Sequence, residues 1–79
     1  MASEEEILAE NRKVRRLQTV VALVTSVLQD SDMPVEEAAE LVAETRRYAL
    51  RLFPDKAETY DIIYQPRFKR LLAEKYKVV

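Results

Sequence analysis

The sequence predicts an all-α fold, a compact bundle of three to four helices, and three observations support that prediction. The 79 residues include no glycine, whereas tight β-hairpins favour Asn-Gly or Asp-Gly turns. Apolar residues recur at helical spacing along most of the chain. Three short polar or proline-containing stretches, at residues 29–34, 53–55 and 65–66, divide the chain into segments. We expect helices over about residues 4–28, 34–53, 56–64 and 66–77, in a single domain spanning residues 1–79.

The first segment, residues 4–28, begins with a capping signal. Ser3 is followed three residues later by Glu6, and this spacing lets each side chain satisfy a free backbone N–H at the start of a helix. An apolar stripe at heptad spacing follows, made of Ile7, Val14, Leu17, Val21, Val24 and Leu28. The stripe widens toward its C-terminal end, which we expect to be the more buried, by the addition of Val20, Leu23 and Val27. Residues 19–27 are also rich in β-branched side chains, which suits a strand, but the length of the stripe favours a helix.

The second segment, residues 34–53, carries the clearest helical pattern of the chain. Pro34 suits a first helical turn, and Ser31 or Asp32 is expected to cap it. Acidic residues lie early and basic residues late, which complements the helix dipole, and Glu44 and Arg47 are spaced to form an ion pair. We expect this helix and the first to pack as two long antiparallel helices.

The third and fourth segments form a C-terminal helical pair broken at Pro66. Asp55 and Glu58 match a second capping box, so a helix is expected to start at residue 56. Pro66 cannot donate a backbone hydrogen bond, so the helix either kinks there or ends and restarts with Pro66 in its first turn; we favour the restart. The last helix is expected to turn its basic residues outward, namely Arg67, Lys69, Arg70, Lys75 and Lys77.

Composition argues against catalysis. Without histidine and cysteine, the chain lacks the side chains most used for proton transfer near neutral pH, for nucleophilic thiolates and for metal ligation. Without glycine it has no phosphate-binding loop and no dinucleotide-binding fingerprint. We therefore predict that the protein is not an enzyme and uses no cofactor, metal or small-molecule substrate.

Charge and hydropathy narrow the range of partners. Net charge is −1, yet residues 1–40 hold nine acidic and four basic side chains whereas residues 41–79 hold five and nine. Two halves of one chain, or two copies, could therefore complement each other. The longest apolar run, residues 20–24, is far too short to span a membrane, and the first residues are acidic where a signal peptide would be basic. A cytoplasmic protein without membrane contact is expected.

One segment near the C-terminus is a candidate docking surface. It places aromatic rings and an arginine within nine residues, at Tyr60, Tyr64, Arg67 and Phe68. Tyrosine and arginine are common anchors of protein interfaces. The alternative is that the aromatic residues, spaced i, i+4 and i+8, are the core side of the third segment.

Basic residues of the first and last helices form a second candidate surface. They could contact phosphate groups together, and they are Arg12, Lys13, Arg15, Arg16, Lys69 and Arg70. A sequence pI near 5.5 and the lack of a known DNA- or RNA-binding signature argue against nucleic acid.

These observations together predict a small, non-catalytic helical module that acts by protein interaction or assembly. Its partner would be another protein or a second copy in a homodimer, because a core this small has little stability to spare. The alternative is a nucleic-acid-associated accessory protein that uses the basic patches at residues 12–16 and 67–77. Steep weakening by added salt would distinguish phosphate binding from a helical protein interface.

Overall fold

The computed structural model describes residues 3–77 and contains four helices. They are α1 (Glu4–Asp30), α2 (Val35–Leu52), α3 (Ala57–Ile63) and α4 (Gln65–Tyr76). Within residues 3–77 there is no β-strand, and the predicted all-α fold class is confirmed. α1 and α2 are the two long helices of a hairpin, and α3 and α4 form a bent C-terminal pair that packs on them.

α1 is longer than predicted and helical throughout. Its start shows one half of the predicted capping box, since the hydroxyl of Ser3 accepts a hydrogen bond from the backbone N–H of Glu6 at 3.2 Å. The β-branched stretch stays helical, and the hydroxyl of Thr25 donates to the carbonyl of Val21 at 2.8 Å within the same helix. The helix continues two residues beyond the predicted end, to Asp30, where the N–H of Ser31 donates to the carbonyl oxygen of Val27.

The start of α2 differs from the prediction. Pro34 itself is the N-cap residue, with extended backbone, and no side chain caps the helix. Ser31 and Asp32 lie three and two residues before this position, so neither reaches the first free N–H groups. Further along α2, the predicted pair is confirmed: Arg47 Nη2 lies 2.6 Å from Glu44 Oε1.

The predicted capping box before α3 is wrong. A turn spans residues 53–56, closed by a hydrogen bond from the N–H of Lys56 to the carbonyl of Phe53 at 3.1 Å. Pro54 and Asp55 are the two central residues of that turn, so Asp55 is used in the turn and the N-cap position falls on Lys56, without a side-chain cap.

The break at Pro66 is a bend with a one-residue interruption. α3 ends at Ile63 and α4 restarts at Gln65 with Pro66 in its first turn, as favoured above. Tyr64 between them keeps helical dihedral angles, and its carbonyl accepts from the N–H of Phe68 at 3.2 Å. The two helices can therefore also be described as one helix bent where proline lacks a donor.

The core is small and asymmetric along α1. Its buried apolar residues are Leu17, Val24, Leu28, Ala38, Ala49, Tyr60 and Phe68. Of the other members of the predicted stripe, Val21 is partly buried against this core, whereas Ile7 is 51% and Val14 42% exposed. The widened arc was also overestimated, because Leu23 is 61% exposed. α2 and α4 cover one side of α1, and the side of α1 that carries Leu23 is left uncovered.

Candidate protein-interaction surface

The first half of α1 extends to the edge of the bundle and beyond it. We call residues 4–16 the overhang, and every one of them is exposed. α1 has 27 residues and α2 has 18, and at 1.5 Å per residue the difference is about 13 Å of helix. The end of α2 reaches α1 only near Val14, because Leu50 and Phe53 line the same groove as that residue. The unequal helix lengths could have revealed this overhang from the sequence.

An apolar groove opens where the overhang meets the bundle; we call it the α1–α3 groove. It has a volume of about 260 Å³ and is lined by Glu10, Val14, Leu17, Ala49, Leu50, Phe53, Lys56, Thr59, Tyr60, Ile63 and Tyr64. Most of the lining residues are apolar. Two of these, Val14 and Ile63, are each 42% exposed. Ile7 lies one heptad before Val14 and so continues the same stripe out of the groove.

The overhang carries charge of both signs in separate blocks. The acidic block is Glu4, Glu5 and Glu6, and the basic block is Arg12, Lys13, Arg15 and Arg16. Within residues 3–77 the ion pairs lie elsewhere, joining Arg46 with Asp61 and Arg47 with Glu40 and Glu44. Both blocks are therefore left to solvent or to another molecule.

The C-terminal docking residues divide into core and surface. Tyr60 is 3% and Phe68 2% exposed, so these two belong to the core, which was the alternative considered for them. Tyr64 is half-buried, with its ring centroid 5.2 Å from that of Tyr60. Arg67 is exposed and holds its guanidinium 5.7 Å from the ring centroid of Tyr64. Only Tyr64 and Arg67 of the four can contact a partner.

The basic residues are not gathered on one surface. Arg70 lines a groove of about 300 Å³ between α1 and α4, together with Val21 and Gln29. Lys69 lies on the other side of α4, in a pocket with Val42 and Asp61. The block at residues 12–16 lies on the overhang, before the stretch of α1 that faces Arg70.

Two residues near the end of α4 hydrogen-bond to backbone carbonyls at the end of α1 and in the loop after it. Lys75 was expected to point outward, but its ammonium donates to the carbonyl oxygens of Leu28 and Ser31 at the end of α1. The hydroxyl of Tyr76 donates to the carbonyl of Met33 at 2.7 Å. The last turn of α1 contains no basic residue of its own, so Lys75 supplies the charge that complements the helix dipole.

The pKa values of two ionisable groups of α3, Tyr60 and Asp61, are shifted by their surroundings. The guanidinium of Arg46 binds the carboxylate of Asp61 through two hydrogen bonds of 2.8 and 3.0 Å and lowers the pKa of that carboxyl group. Burial raises the pKa of Tyr60 to about 12, and its hydroxyl has no hydrogen-bond partner within residues 3–77. Both groups lie in the packing of α3 against α2.

No cluster of three or more potential metal ligands occurs in the part of the chain that the structure describes. None of the helices in that range combines the length and apolar character needed to cross a membrane.

The chain was compared with known proteins at three levels. No protein-family model, no curated protein and no solved structure matches it.

Proposed function

We propose that this chain is a small, non-catalytic helical module that acts by binding protein through the overhang of α1 and the adjoining α1–α3 groove. One observation supports this most directly: the apolar stripe of α1 continues from Val14, at the rim of the α1–α3 groove, out to Ile7, beyond the helices that cover its C-terminal part. Contiguous apolar surface on a folded protein marks interaction sites. Here the stripe includes Ile7 and Val14, each more than 40% exposed.

The length of the uncovered helix also supports a partner. An isolated helix of about a dozen residues is marginal in water, because most helical stability in proteins comes from packing an amphipathic face. Residues 4–16 contain such a face, and among the described residues the other helices reach it only at its C-terminal end, where Glu10 and Val14 line the α1–α3 groove. Contact with another chain would supply the missing packing.

A photo-crosslinking experiment tests this function. A photoreactive amino acid is placed at Ile7 or Val14, within the apolar stripe, and in a matched control at Arg16, which is also exposed but on the opposite side of α1. We expect protein adducts from the two stripe positions in the cells that produce the protein, and few from Arg16. Equal yields from all three positions, or none, would refute the proposal.

The nucleic-acid alternative has weaker support. A phosphate-binding surface needs its basic residues on one face, and Lys69 and Arg70 lie on different sides of α4. Titration of labelled DNA and RNA at low salt tests it directly, and binding that weakens steeply with added salt would restore this alternative.

We propose a cytoplasmic location for the module, as the sequence predicts. Imaging of a fluorescent fusion in the source cells would test it. Signal confined to an extracytoplasmic compartment would overturn that part of the proposal.

A further inference from the structure

We propose that the partner seated on this surface is a second copy of the chain, with the overhangs of the two α1 helices antiparallel about a two-fold axis near residues 10 and 11. This inference rests on the proposed function and adds the identity and orientation of the partner. Three observations support it: the surplus surface area of the chain, the spacing of the apolar residues of the overhang, and the order of its charges.

The chain exposes more surface than its mass requires. Its accessible surface is 6065 Å², whereas a folded monomer of 9.2 kDa is expected to expose about 4,900 Å². The surplus of about 1,100 Å² is comparable to the roughly 800 Å² that each partner buries in a standard protein interface. The radius of gyration, 14.3 Å, likewise exceeds the value of about 12 Å expected for a compact chain of this length.

The apolar residues of the overhang are spaced for antiparallel pairing. Ile7 and Val14 are separated by seven residues, or about 10 Å along the axis. A two-fold axis midway between them places Ile7 of each copy opposite Val14 of the other. In that position Ile7 of the second copy enters the mouth of the α1–α3 groove, where Val14, Phe53 and Ile63 supply apolar contacts.

The charges of the overhang select the same orientation. At 100° per residue, Glu4 and Arg15 lie within about 20° of each other around the helix, and so do Glu6 and Lys13. Each acidic residue therefore shares a side of the helix with a basic residue near the other end of the overhang. Antiparallel pairing brings these opposite charges together, whereas parallel pairing would stack acidic on acidic and basic on basic.

Glu10 is the residue that opposes the arrangement most. It lies beside the proposed axis, close to Glu10 of the second copy. Lys13 of the second copy is on the same flank, and Lys56 lines the same groove. Both provide positive charge next to Glu10, so an acidic residue at the axis is compatible with pairing.

Charge reversal tests the pairing. One variant carries Glu4→Lys and Glu6→Lys, and a second carries Lys13→Glu and Arg15→Glu. We expect sedimentation equilibrium to give twice the 9.2 kDa mass for the unmodified chain. Each variant alone should dimerise with a dissociation constant at least about tenfold higher, because opposite charges become like charges. A mixture of the two variants should associate again. Parallel pairing predicts no loss for either variant alone, since like charges would face each other before and after the change.

Disulfide trapping tests the orientation independently, because the chain contains no cysteine. Asn11→Cys, beside the proposed axis, should cross-link to itself. Ile7→Cys should cross-link with Val14→Cys in a mixture faster than either does alone, and Arg16→Cys, on the opposite side of the helix, should not react. Rapid self-linking of Ile7→Cys would overturn the antiparallel arrangement.

The outcomes separate this inference from the proposed function. A monomer mass at every concentration up to the millimolar range would overturn self-pairing. If photo-crosslinking at Ile7 and Val14 then captured a different protein, the proposed function would stand with a different partner. If those positions also gave no adduct, both would fall.

Discussion

Replacing Lys75 by methionine should destabilise the bundle by about 2 kcal/mol. The carbonyl of Leu28 lies in the last turn of α1, where the helix provides no further N–H donors, and Leu28 itself is 0% exposed. Lys75 from α4 donates to this carbonyl and to that of Ser31. Hydrogen bonds from charged groups contribute roughly 1.5–3 kcal/mol, and the partial exposure of Lys75 places the expected loss in the lower half of that range.

The assays are urea unfolding, which gives the free energy of unfolding, and thermal unfolding, which gives the melting temperature. Both are monitored by circular dichroism at a fixed protein concentration. Lys75→Met keeps most of the apolar stem and removes the donor, and a loss of about 2 kcal/mol should lower the melting temperature by about 10 °C for a domain of this size. Lys69→Met is the control, since Lys69 is exposed on the same helix and should change stability by less than about 0.5 kcal/mol. Equal stability of the two variants would refute the role assigned to Lys75.

Three further predictions concern the core and its ionisable groups. Leu28→Ala should cost about 3–5 kcal/mol in urea unfolding, whereas Leu23→Ala, at a side chain 61% exposed, should cost less than about 1 kcal/mol; similar losses would contradict the core described here. Because Arg46 lowers the pKa of Asp61, this pair stabilises the fold above the unfolded pKa of about 4 and ceases to do so as the pH falls below it; Asp61→Asn should flatten the acid limb of stability against pH, and an unchanged limb would exclude the pair as its cause. The pKa of Tyr60 is raised to about 12, so its neutral form stabilises the fold below about pH 10, and that contribution should be lost between pH 10 and 12; Tyr60→Phe should lose less stability over that range, and an identical alkaline limb would contradict it.

The fold class could be predicted because the informative patterns are local. Heptad spacing, the cap at Ser3 and the breaks at Pro34 and Pro66 each act within a few residues, and together they define helices and their order. The capping box at Asp55 failed for the same reason it was attractive. Its spacing fits a helix start, but Pro54 and Asp55 also suit a turn, and the turn placed Asp55 outside α3.

Tertiary contacts could not be read from local patterns. Lys75 belongs to a run of basic residues that resembles a solvated helix face, and nothing near it in sequence indicates that it binds carbonyls at the end of α1, 47 residues away for Leu28. The spacing of Tyr60 and Phe68 fits both a docking surface and the core side of a helix. Only the positions of α1 and α2, which the spacing does not contain, decide between these two roles.

The apolar stripe of α1 shows why periodicity alone leaves assembly open. A heptad pattern states that one side of a helix is covered, but it does not state by which chain. Here Leu17, Val24 and Leu28 are covered within the chain, while the stripe continues through Val14, level with the end of α2, to Ile7 beyond it. Glu10 interrupts the stripe and would end a longer coiled coil, yet in the proposed antiparallel dimer it would lie near Lys13 of the second copy. The same interruption that limits the seam to two turns therefore fits a short antiparallel contact better than an extended parallel one.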